Sequence, residues 1–211
     1  MTARLVPLFA LSLAVAGVAA TAASAAPHHP ERIAAARQRP LGSSVTVRGT
    51  VTVPSNAFDA GFAVQQGHAG IYVLDSLGVD REIGNDVEIT GTLVDSFGLL
   101  AIQPTSITAH GDNDPIDPRH KKTGQVGEST EGQLLRLRGR MVGDLVDDSP
   151  FGFKLDIDDG SGPIQIFLFP GSGVSTAGLT AGAKIDVTCF SNQFEEFFEC
   201  DPPTAADLSI E

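Results

Sequence analysis

Tryptophan is absent from the 211 residues, tyrosine occurs once, and cysteine and methionine occur twice each. Two cysteines exclude a disulfide-dense mini-scaffold and a four-thiolate zinc site. Without a CxxC pair, a redox-active dithiol is a poor reading. No GxSxG elbow, HExxH helix or Walker loop is present. His28, His29, His68, His110 and His120 are scattered without metal-ligand spacing, and the His28-His29 pair beside prolines reads as a solvated terminal pair. The expectation is a protein that is not an enzyme and carries no cofactor. Positive charge is also scarce, with 14 Lys and Arg against 26 Asp and Glu and a formal net charge of -12. An acidic surface is a poor match for polyanions, which draw most of their protein affinity from cationic contacts. Beyond residue 25 no apolar run is long enough to cross a bilayer as a helix.

What is present begins with MTARLVPLFALSLAVAGVAATAASA, residues 1–25. Arg4, an apolar stretch from Leu5 to about Ala20 and the small-residue pattern Ala23-Ser24-Ala25 form a secretory signal cleaved near Ala25. A retained membrane anchor is the weaker reading, because the apolar core is rich in Ala and Gly and ends in a cleavage pattern. The expected location is secreted or periplasmic. There Cys189 and Cys200 are expected to bond as a cross-strand staple, contributing roughly 3 kcal/mol for so small a loop.

The two halves of the remaining chain repeat one pattern. SSVTVRGTVTVP, GFAVQQGHAGIYVLD, GNDVEITGTLVD and GLLAIQPTSITAHG are followed by QLLRLRGRMVGDLV, GFKLDIDDGSGPIQIFLF, GAKIDVTCFS and EEFFECDPP. Arg48-Gly49 falls on Arg138-Gly139, Gly61-Phe62 on Gly152-Phe153, and Val87 to Thr90 on Ile185 to Thr188, with insertions confined to loops. Each unit holds five period-two segments rich in Val, Ile, Leu, Thr and Phe, separated by Gly, Pro, Asn and Asp. A sheet this small buries its apolar face best by closing on itself. Gly49 and Gly139 stand where a first strand would bend.

A long first strand with a central Gly, a Gly-Phe entry into strand two, a short Gly-containing turn and a V-x-[IV]-T fourth strand resemble the OB-fold. LDIDDGSGPIQI looks like the strand-two to strand-three hairpin of nucleic-acid-binding OB-folds. VTVRGTV with GNDVEITGTL resembles the small OB domains of exported bacterial proteins. The fold class expected is all-β, two tandem five-stranded OB-like Greek-key barrels over residues 42–110 and 132–211. Residues 26–41 form a net-basic arm, either a short helix or disordered, and the polar segment 111–131 reads as an interdomain linker.

The resemblance implies a ligand face on the outer side of strands two and three, for single-stranded nucleic acid or oligosaccharide. Alternation places Gln65, Tyr72 and Leu74 there in the first unit, and Lys154, Asp156, Gln165 and Phe167 in the second. Tyr72 and Phe167 are candidates to stack on bases or sugar rings, or to fill the contact between barrels or cap a barrel end. Arg48, Arg138 and Arg140 are candidates to meet phosphates, or solvated strand-edge charges. Both expected domains are acidic, with two basic and seven acidic residues over 42–110 and five and thirteen over 132–211, and no local basic stripe stands out. Nucleic acid is thus a possible partner that net charge disfavours. Asp156 and Asp158 share a face and are weak candidates for a cation, with a plain hairpin turn as the stronger reading. Phe194, Phe197 and Phe198 crowd one hairpin tip beyond what solvation needs, for packing within the chain or against a protein partner.

Overall fold

The computed structural model describes residues 29–58, 61–75 and 77–211. The leader read over residues 1–25, residues 26–28 of the arm and His28 lie outside them. Helix α1 (Ile33–Ala36) precedes β1 (Ser44–Val53), β2 (Phe62–Gln66), β3 (Ala69–Val73), β4 (Asn85–Ser96) and β5 (Leu99–Asp112). These five strands close into a barrel in the order β1-β2-β3-β5-β4, with β3 and β5 parallel. Val45, Val47 and Val51 alternate into its core beside Phe62, Val64, Ile71, Val87 and Ile89. At Gly49 the strand comes so close to the Gln65 carbonyl and the Ile33 side chain that a Cβ would crowd both.

The second unit repeats the plan. After the two-residue β6 (Arg119–His120) come β7 (Leu134–Asp147), β8 (Phe153–Asp158), β9 (Ile164–Leu168), β10 (Lys184–Phe194), β11 (Phe197–Asp201) and β12 (Leu208–Ile210). The order β7-β8-β9-β11-β10 closes through β10–β7 pairing, with β9 and β11 parallel. Strand β6 lies parallel to the start of β7, and β12 lies on β10. The tandem OB-like architecture expected from the repeat is therefore present. Cys189 and Cys200 are bonded, and both lie in the core of this barrel.

The segments outside the expected barrels are built into them. Ile33 and Ala36 of the arm are fully buried in the first barrel's core, so α1 is a plug that closes one end. Two of the arm's three arginines have structural partners: Arg37 donates to the Gly70 carbonyl (3.0 Å) and to Glu131 (2.7 Å), and Arg39 to Glu31 (2.9 Å). The polar 111–131 segment is likewise pinned. Strand β5 runs on to Asp112, and the 3-10 turn Thr123–Gln125 is held by Thr123 on Asp159 (2.9 Å) and by Ser161 on the Gly124 amide (2.9 Å).

The barrels share a core of their own. Phe190, fully buried, packs from β10 among Val53, Ala57, Ala63, Tyr72, Leu99 and Ala101 of the first barrel. Ring contacts run from Tyr72 to Phe190 (5.9 Å), Phe190 to Phe58 (6.1 Å), Phe58 to Phe169 (5.0 Å) and Phe169 to Phe167 (4.5 Å). Gly70 and Gly132 meet backbone to backbone with no room for a Cβ on either.

Candidate functional site

Strands two and three of each barrel were the expected ligand faces, and the structure corrects their exposure. Gln65, Tyr72 and Phe167 retain only 1%, 6% and 6% of their accessible surface. Alternation did turn them away from their own barrels, but the neighbouring barrel covers Gln65 and Tyr72, and Phe167 is packed against Phe169, Lys154 and Gly152 of its own barrel. The Leu134 amide donates to the Gln65 side chain (2.8 Å), and Tyr72 and Phe167 belong to the aromatic chain between barrels. Of the roles weighed, Tyr72 fills the contact between barrels, while Phe167 reaches that contact only through Phe169. On the second barrel, Lys154 pairs with Asp148 (2.7 Å) and sits 5.6 Å above the Phe167 ring, while Gln165 donates to Glu199 (2.8 Å). These groups are engaged with one another.

The aspartate-rich turn is closed by hydrogen bonds. Asp158 accepts from the Gly160 and Gly162 amides (2.7 and 3.1 Å), and Asp159 from the amide of Ser161 (3.0 Å). Asp156 is exposed on the next outward position of β8. Among the described residues no group of three or more His, Cys, Asp or Glu is placed to hold a metal ion.

Sequence reading missed a buried pair of acids beside Gln165. Asp201 is fully buried and Glu199 nearly so. The Asn192 side-chain amide donates to both, at 2.7 and 3.1 Å, and Asp201 Oδ1 has no partner. Burial, reinforced by the Glu199 charge, pushes the Asp201 carboxyl well above the usual carboxylate range. Burial raises Glu199 too, against the opposing pull of Gln165, Lys154 and Asn192. A carboxyl whose pKa is raised by folding binds more protons folded than unfolded, so its contribution to stability is full below the unfolded pKa and is lost as pH rises through the folded one. Asp86 and Asp186 go the other way, because hydrogen bonds from Arg48 and Arg136 lower them, and their contribution is lost in strong acid. Stability is therefore expected to peak in mildly acidic solution. Melting curves across pH check this, and Asp201→Asn should flatten the fall toward neutral pH; an unchanged slope in that variant would assign the fall to other groups.

Two open surfaces stand out among the described residues. The first is an aromatic crest where equivalent hairpin tips of the two barrels meet. Phe97 turns the β4–β5 tip and Glu195 the β10–β11 tip, each with a positive φ (54° and 55°) that costs a non-glycine residue of order 1–3 kcal/mol. The Glu195 amide donates to the Phe97 carbonyl (2.5 Å), Gly98 bridges Phe194, and the Phe97 and Phe194 rings stack at 5.7 Å. Phe97, Phe194 and Phe197 nevertheless stay 68%, 50% and 62% exposed, with exposed Asp95, Glu195 and Glu196 around them. Phe198, by contrast, packs against the second barrel's core. Phe97 carried no signal in the sequence because its neighbours arrive from the other half of the chain.

The second surface is a ladder on the outer side of β7 and β10. Arg136, Arg138 and Arg140 alternate outward between buried Leu135, Leu137 and Met141, facing Thr188, Asp186 and Lys184 in register. Asp186 accepts from Arg136 (2.7 and 2.8 Å) and Arg138 (2.8 Å), while Arg140 donates to the Gly182 carbonyl (3.0 Å). The reading that no basic stripe exists is corrected here: three arginines stand at alternate positions of β7, and Lys184 joins them through register from 44 residues away. The equivalent Arg48 of the first barrel is committed to Asp86 (2.5 Å).

No family profile and no curated protein matches this chain. Among solved structures it is similar to a murine DNA-binding protein bound with double-stranded DNA, at 12% identity over 74% of this chain and 90% of that one, TM-score 0.38. It is also similar to a HINa domain in complex with 20-bp double-stranded DNA, at 14% identity over 80% and 98%, TM-score 0.37. A replication protein A heterotrimer bound to single-stranded DNA matches at 11% identity over 80% and 49%, TM-score 0.34. The likeness is loose, and none of these three is one of the small exported bacterial domains expected from the motifs. The OB-type barrel stands on the strand order itself.

Proposed function

We propose that this chain is an exported, non-catalytic accessory module that docks on a partner protein through the aromatic crest. The observation that carries this reading is the exposure of Phe97, Phe194 and Phe197 on two tips that hydrogen-bond to each other. Beyond the Phe97–Phe194 stack, the outward faces of these rings gain no burial in the monomer, and covering them would stabilise a complex. The bonded Cys189–Cys200 pair supports export, because such bonds persist in oxidising compartments. The acids Asp95, Glu195 and Glu196 set the partner's chemistry: an apolar pocket edged by lysine or arginine. A second copy of this chain would instead bring the same carboxylates together.

Selection from a displayed peptide library on the mature protein tests this. Enriched sequences are expected to combine basic with aromatic or aliphatic residues, and to lose binding at least tenfold to a Phe97→Ser, Phe197→Ser variant that keeps its melting temperature. Equal binding to the variant would overturn the crest as the docking site. Concentration-dependent sedimentation that vanishes in the variant would replace the partner with a second copy.

A further inference from the structure

The internal repeat gives this protein its own reference state. Thr46, Arg48 and Thr50 on β1 face Thr90, Glu88 and Asp86 on β4 in the same register that Arg136, Arg138 and Arg140 on β7 hold with Thr188, Asp186 and Lys184 on β10. At these equivalent places the first barrel carries one cation and two anions, and the second carries four cations and one anion. The surface moves from -1 to +3 while the chain as a whole stands at -12. The backbone, the register and the outward direction are the same, and the rung that differs in burial is the third, where Thr50 and Asp86 are covered but Arg140 and Lys184 are exposed. His120 of β6 lies level with Arg136, and exposed Lys122 follows just beyond it, adding a cation near the band.

From this divergence we infer that the β7–β10 face of the second barrel binds the phosphate backbone of single-stranded nucleic acid, on a different side from the strand-two and strand-three face of the OB resemblance. Alternate residues of a strand stand about 6.7 Å apart, the scale of the phosphate step along an extended polynucleotide. Arginine supplies a planar fork of donors suited to phosphate oxygens. Asp186, spread across Arg136 and Arg138, orients two guanidinium groups and neutralises only one charge. The band is narrow: Asp158 stands across from Arg140 on one side, and the Glu211 carboxylate approaches Arg136 on the other. A single strand fits between those acids, whereas a planar anionic membrane or a wide duplex brings its charge against them as well.

The test is fluorescence anisotropy of a labelled single-stranded oligonucleotide with the mature protein, from low to physiological salt. Binding is expected at low salt and should weaken as salt rises. The decisive variant gives the second barrel the first barrel's charges, Arg136→Thr, Arg140→Thr and Lys184→Asp, and leaves the Arg138–Asp186 pair in place. It should lose at least tenfold in affinity and flatten the logarithmic salt dependence by about 2, from roughly 0.7 per phosphate contact at three positions. Its melting temperature serves as the folding control, and the Phe97→Ser, Phe197→Ser variant should bind the oligonucleotide as the parent does, which separates this site from the crest. No binding at low salt, or binding the charge-swapped variant retains, would overturn the site. Tighter binding of a duplex of the same sequence would overturn the single-strand assignment. Vesicles containing phosphatidylserine that bind through the same residues while the oligonucleotide does not would assign the band to lipid headgroups instead.

Discussion

Replacing Phe190 with alanine is expected to uncouple the two barrels. Phe190 is fully buried, yet it belongs to β10 of the second barrel while its surroundings belong mostly to the first. Truncating a buried phenylalanine costs about 3–5 kcal/mol, and here that loss falls on the contact between domains. The protein contains one tyrosine and no tryptophan, and Tyr72 packs directly on Phe190, so intrinsic emission reports this contact almost alone. Denaturant unfolding followed by tyrosine emission should separate in the variant from unfolding followed by far-ultraviolet circular dichroism. Coincident transitions with a loss under about 1 kcal/mol, the size of an ordinary substitution, would mean that the barrels are held chiefly by the Arg37–Glu131 bridge and the Gly70–Gly132 approach.

Replacing Ile33 with aspartate is expected to open the first barrel. The arm looks dispensable in sequence, being short, net basic and outside the repeat, but Ile33 plugs the barrel beside Val47, Phe62 and Ile89. Loss of a buried isoleucine alone costs about 2–5 kcal/mol, and an unpaired carboxylate in its place adds a desolvation penalty. The first barrel should lose cooperative unfolding at room temperature. Arg39→Ser on the exposed side of the same arm should stay within about 0.5 kcal/mol of the parent. Equal effects of the two substitutions would show that the arm acts through charge and not through the plug.

These two residues also mark how far sequence reading reaches. The barrels were legible because a half-buried strand must alternate, because Gly49 and Gly139 recur at one place in the repeat, and because the pairing of β1 with β4 is reproduced by β7 with β10. Alternation also correctly turned Tyr72 and Phe167 outward. It had no means of showing that outward from the first barrel at Tyr72 is inward to the pair, since the covering residue, Phe190, lies far away in the chain. The same limit hid the acid pair, where Glu199 and Asp201 look like ordinary alternating charges until the strands around them are placed. It hid the stripe differently: Arg136, Arg138 and Arg140 were visible at alternate positions, but Lys184 joins them only through register. Net charge, a scalar, averaged the stripe away.

Strand β10 gives these surfaces a fixed separation. It carries Lys184 of the basic band at its first residue and Phe194 of the crest at its last, ten steps apart, which is about 33 Å along the strand. Pairing with β7, β11 and β12 leaves it little freedom to shorten or bend. It is a ruler: two ligand groups on one assembly would engage both ends together only if they could span that distance. A matched span would turn the second contact into an intramolecular one, with a gain in avidity of 10²–10⁴ typical of linked sites, and a mismatched span would forfeit it.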